Sequence, residues 1–73
     1  MNTFDKLLFC KNHGITIAYI AQQAEVVPST LSQWLKGEKG ISAKNEMRVE
    51  RALRALTQTL YDNIGGFEDD RDI

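Results

Sequence analysis

Cysteine, histidine, proline and tryptophan each occur once in these 73 residues. A single Cys leaves no internal disulfide framework, and one Cys with one His cannot form a zinc-ligand set. Stapled small-domain classes are therefore excluded, and a reducing, cytoplasmic setting is expected. No apolar run approaches the roughly 18 residues of a membrane span. The opening MNTFDKLLFCK has no basic stretch followed by a long apolar core, so no signal peptide is expected either. The chain also lacks a Gly-rich phosphate loop, a nucleophile with base and orienting acid, and a paired-carboxylate cleft. An enzyme is not expected at this length, nor a cofactor, metal or small-molecule substrate. Strong charge of one sign is missing too: 9 Lys and Arg face 10 Asp and Glu, a net charge of −1.

What is present is ordinary for a soluble globular chain, 42% hydrophobic and 26% charged. Seventy-three residues make one domain near the lower size limit for folding without staples. Apolar residues recur at helical spacing throughout, and no stretch alternates as a strand does. Phe4, Leu7 and Leu8 predict a first helix over residues 3–12, with Thr3 as its cap and Asp5 near its positive end. His13 stabilises its C-terminal end, and Gly14 stops it. Cys10 reads as a small, at least half-buried hydrophobe with no charge pattern nearby to activate it.

Residues 16–37, TIAYIAQQAEVVPSTLSQWLKG, are the most informative stretch. Thr16 caps a helix from Ile17 to Ala24, whose inner stripe is Ile20, Ala21 and Ala24. Glu25-Val26-Val27 forms a turn. Pro28 suits the first position of the next helix, where its missing N–H costs nothing. Leu31, Trp34 and Leu35 form the buried side of that helix, which ends near Lys36 with Gly37 as its stop. Ser29, Thr30, Ser32, Gln33 and Lys36 point the other way. Short hydroxyls and a long amide on one helix face are the chemistry that reads base edges in a major groove.

This order of small, apolar and polar residues resembles the helix-turn-helix of the phage repressor and Cro group, the XRE family. Ile20-Ala21, Ala24, Val26, Ser29-Thr30-Leu31-Ser32, Trp34 and Lys36-Gly37 carry the likeness, which covers about residues 4–56. It implies an all-α, lambda-repressor-like helix-turn-helix domain of four to five helices, and a transcriptional regulator binding double-stranded DNA. Two positions depart from the family. Glu25 stands where Gly is favoured in a left-handed turn, a cost on the order of 1 kcal/mol. Ile17 stands where a Gln often touches DNA.

Gln33 is the first choice for base contact, because its amide matches the N6 and N7 edge of adenine. Ser29 and Thr30, in the first turn, are candidates for base edges or for phosphate alone, and Ser32 has less reach. Thr16 caps a helix whose free N–H groups favour phosphate. Tyr19 stands beside that end, either to touch the DNA backbone or to cover the core. Lys36, Lys39 and Lys44 complete the phosphate set. Trp34 falls on the apolar stripe and reads mainly as core, with its indole N–H free for a loop carbonyl or a phosphate.

Ile41 is expected to pack back on the core, and Ser42 to cap a final helix of about 20 residues, ~30 Å long. Its stripe is Met47, Val49, Ala52, Leu53, Leu56, Leu60 and Ile64, with Arg48, Arg51 and Arg54 outside it. Leu56, Leu60, Tyr61 and Ile64 extend past the motif and suggest a partner helix, most simply in a homodimer. The domain is placed at 1–64, and 65–73 is read as a disordered acidic tail. Without EDDRDI at 68–73 the chain holds eight basic against six acidic residues, or +2. A phage or mobile-element repressor on a palindromic operator fits this pattern. An interaction module, such as an anti-repressor or antitoxin-like adaptor working through the last helix, is the other reading.

Overall fold

The computed structural model describes residues 1–65, and the acidic segment at 68–73 lies outside them. Four helices follow one another without a strand among the described residues: α1 Thr3–Asn12, α2 Ile17–Ala24, α3 Pro28–Leu35 and α4 Ala43–Leu60. A π-helical turn, Tyr61–Gly65, continues α4. The all-helical class and the long C-terminal helix agree with the sequence reading.

Local chemistry sets most of the boundaries. The Thr16 hydroxyl accepts from the Tyr19 N–H at 3.1 Å, and the Ser42 hydroxyl accepts from the Asn45 N–H at 3.1 Å. Each satisfies one of the N–H groups that a helix start leaves unpaired. Pro28 opens α3. Glu25 ends α2 in the left-handed region at φ 60°, so the strain expected of a non-glycine residue in this turn is present. Gly14 and Gly37, at φ 91° and 76°, supply the same backbone region at no such cost.

The start of α1 differs from expectation. Asn2, rather than Thr3, is the cap, and its side-chain oxygen accepts from the Asp5 N–H at 2.8 Å. The Thr3 hydroxyl instead donates to Glu50 on α4, 2.8 Å away.

Leu7, Ile20, Ala21, Ala24, Leu31, Val49 and Leu53 make the buried core, drawn from all four helices. Val26, Ile41 and Trp34 pack against it, and Trp34 meets the Phe4 ring edge-on at a centroid distance of 5.2 Å. Met47 does not belong to this set, for it is 54% exposed. Only two residues before Val49, it falls on the opposite side of α4, since two residues span 200° of helix. Cys10 is half-buried, as expected, and burial raises its thiol pKa. His13 closes α1 with both its backbone N–H and ring Nδ1 directed at the Phe9 carbonyl.

Glu50 ties α1 to α4. It accepts from Lys6 Nζ at 2.7 Å, from Arg54 Nε at 2.6 Å and from Thr3. Lys6 first, then Arg54 and Thr3, lower its carboxyl pKa from the ordinary 4.5 to about 2. A depressed carboxyl pKa contributes stability that is present above 4.5 and lost as pH falls toward about 2. Glu50→Gln is therefore expected to lower the urea midpoint at neutral pH. Its deficit should shrink between those two values, and a deficit independent of pH would show that the charge of the carboxylate contributes nothing.

Candidate nucleic-acid interface

The outer face of α3 is built by period alone. With Leu31 buried and Leu35 and Trp34 on either side of it, Ser29, Gln33 and Lys36 fall on the far side of the helix, flanked by Thr30 and Ser32. Ser29 and Lys36 are exposed, whereas Thr30, Ser32 and Gln33 are half-buried. The backbone carbonyl of Gln33 explains part of its position. It accepts from the Glu38 N–H at 2.9 Å and the Lys39 N–H at 3.4 Å, which folds the loop after α3 back against the helix end. The two donor residues keep Lys39 close to the end of α3. Among the described residues, no hydrogen bond engages the side chains of Ser29, Thr30, Ser32 or Gln33.

Helix α2 packs against α3 and sets its neighbours. A depression of ≈ 120 Å³ is lined by Leu8, Lys11, Ile17, Ser32, Leu35 and Lys36. It puts the first residue of α2, next to the exposed cap Thr16, beside the polar side of α3. It also brings in Lys11, which the sequence reading passed over. That lysine lies in the last turn of α1, and only the packing of α1 against the motif makes it a neighbour of Lys36. Lys36, Lys39 and Lys44 are all exposed, and no ion pair among the described residues engages them.

Tyr19 is exposed but opens elsewhere, onto a groove between α2 and α4 lined also by Gln23, Glu25, Arg48, Arg51 and Leu56. Its phenol is thus set among arginines rather than beside Ser32 and Lys36. Val27 is a second residue that sequence reasoning missed. It caps α3 with no side-chain hydrogen bond and is 63% exposed, an isopropyl group on the surface just ahead of Ser29. The available signal was its place before Pro28, outside the apolar stripe of either helix.

The remaining site residues lie along the C-terminal part of α4 and the π turn, with Leu56 in the same groove as Tyr19. Leu56 is half-buried, and Leu60, Tyr61 and Ile64 are exposed along the end of α4 and the π turn. No group of three His, Cys, Asp or Glu side chains suited to a metal occurs among the described residues. No helix there is long and apolar enough to cross a membrane. Against family models, curated proteins and solved structures, the chain gives no match.

Proposed function

We propose that this chain is a sequence-specific DNA-binding regulator of transcription. On this reading it is a repressor of a phage or mobile element, inserting the helix from Pro28 through Lys36 into the major groove. Two copies bind the two halves of a palindromic operator. The observation that carries the reading is the outer face of α3, whose hydroxyl and amide side chains have no partner within the described chain. Donors and acceptors held on a rigid helix and left unpaired are what base-edge recognition requires. Lys36 and Lys39, at the end of α3, and the exposed Lys44 at the start of α4 supply the phosphate contacts, with Lys11 and the N-terminus of α2 beside Lys36. Val27 offers an apolar surface for a thymine methyl group.

Selection of bound duplexes from a random pool tests this directly, with an enriched palindrome as the expected result. On the selected site, Gln33→Ala should cost roughly 1–3 kcal/mol and relax preference at one base pair per half-site. Equal losses on the selected and on random duplexes would remove Gln33 from base reading. No enrichment at all would sink the regulator.

The exposed apolar end of α4 favours the second reading, an anti-repressor or antitoxin-like adaptor that binds a protein there. An apolar helix interface is nearly indifferent to salt, whereas duplex binding weakens steeply with it.

A further inference from the structure

Helices α1 and α4 leave between them a groove of ≈ 500 Å³ whose walls are mostly apolar. Met1, Phe9, Cys10, Leu53 and Thr57 line it, and Lys6 and Arg54 stand at its rim. The α4 side of the groove does not stop at Thr57. Leu53, Thr57 and Tyr61 follow at intervals of four, so the same helix face runs up to the π turn, where Ile64 is also exposed. One molecule thus carries both an apolar groove and, next to it, an apolar projection. The described chain measures 49 × 21 × 21 Å, which leaves that end standing clear of the core.

We propose that the π-turn end of a second copy, led by Tyr61 and Ile64, seats in this groove, each copy filling the groove of the other. The arrangement is isologous: a twofold axis lets one surface serve as socket and plug at once. In an antiparallel crossing centred near Gln58, residues 53–57 of one α4 lie opposite 59–63 of its mate. That register sets Arg54 across from the second copy's Asp62.

Charge supports this occupant. Lys6 and Arg54 share the single carboxylate of Glu50, which leaves one positive charge over at the rim. Among the described residues, the incoming turn Tyr61–Gly65 carries Asp62 and no cation, together with the negative end of the α4 dipole.

Area supports a dimer of modest strength. The exposed fractions of Met1, Phe9, Leu60, Tyr61 and Ile64 together equal about three whole side chains. At roughly 200 Å² each they can bury at most about 600 Å² per copy, somewhat below the ~800 Å² of a standard interface.

This seating deepens the homodimer of the preceding reading and rests on it for its role. Its test uses no DNA, so dimer and duplex recognition fail separately. Sedimentation of the full chain from about 1 µM to about 1 mM is expected to show a monomer–dimer equilibrium. Ile64→Glu and Phe9→Glu should each weaken it about tenfold or more while leaving the circular dichroism unchanged. Both replaced side chains are exposed in the monomer. Cys10 provides a local reporter, since its alkylation should slow as the wild-type chain is concentrated but not in Ile64→Glu. A chain that stays monomeric overturns the proposal. So does a dimer indifferent to Phe9→Glu with Cys10 labelling independent of concentration, which places the contact elsewhere.

Discussion

Leu31→Ala is expected to remove about half the stability of this protein, and with it the duplex binding proposed for α3. The Leu31 side chain is 0% exposed and is the sole fully buried residue of α3. Truncating a buried Leu costs about 2–5 kcal/mol, with the larger values where the surroundings cannot collapse into the space. A chain of this size holds about 4–10 kcal/mol in all. An eight-residue helix has no stability of its own in water, so α3 is helical only while its inner side is packed. Losing that packing disorganises Ser29 and Gln33 together with the core. Met47→Ala is the matched control, because the residue belongs to the same kind of apolar pattern in the sequence yet is exposed. It should change the urea midpoint within about 0.5 kcal/mol equivalent. Unfolding followed by Trp34 fluorescence decides the matter, since Trp34 packs against the core beside Leu31. Equal effects of the two substitutions would mean that the core is not where the burial places it.

The contrast between Leu31 and Met47 also marks how far the sequence could be read. Helix boundaries were legible wherever a single local device sets them: the Thr16 and Ser42 hydroxyls, Pro28 at the head of α3, and the positive-φ glycines at 14 and 37. Each acts within four residues, inside the range that a one-dimensional pattern covers. Thr3 was misjudged for the opposite reason. Its hydroxyl is claimed by Glu50, 47 residues away, and Asn2 takes the cap. No local signal carries that competition. Met47 shows a related limit, since an apolar residue near a stripe is counted into it until the helix is given a definite rotation against its neighbours.

The site divides in the same way. Ser29, Gln33 and Lys36 share a face because of helix period, and this was plain from their spacing. Lys11 joins Ser32 and Lys36 through the packing of α1, and Tyr19 turns toward Arg48 and Arg51 through the packing of α4. Both facts depend on how helices distant in sequence cross. The groove behind α1 was invisible for the same reason: Phe9 and Thr57 meet only in three dimensions.

Replacing Lys36, Lys39 and Lys44 together by alanine is expected to have the largest effect on the proposed duplex binding that leaves the fold untouched. All three are exposed, and none forms an ion pair within the described chain, so stability should hold within about 0.5 kcal/mol. Each phosphate neutralised by a lysine adds about 0.9 to the slope of log affinity against log salt. Losing three should flatten that slope by about 2.7 for one copy on DNA and by about 5.4 for two. Between 50 and 200 mM salt, the wild-type monomer would then lose about 40-fold more affinity than the variant. The loss should be the same on the selected operator and on random duplex, because phosphates carry no sequence. The size of the slope change therefore counts the copies on the duplex and ties this measurement to sedimentation of the free protein. A slope that does not move would free these lysines of phosphate contact. That would leave the net charge of −1 without an answer and favour a protein partner at the far end of α4.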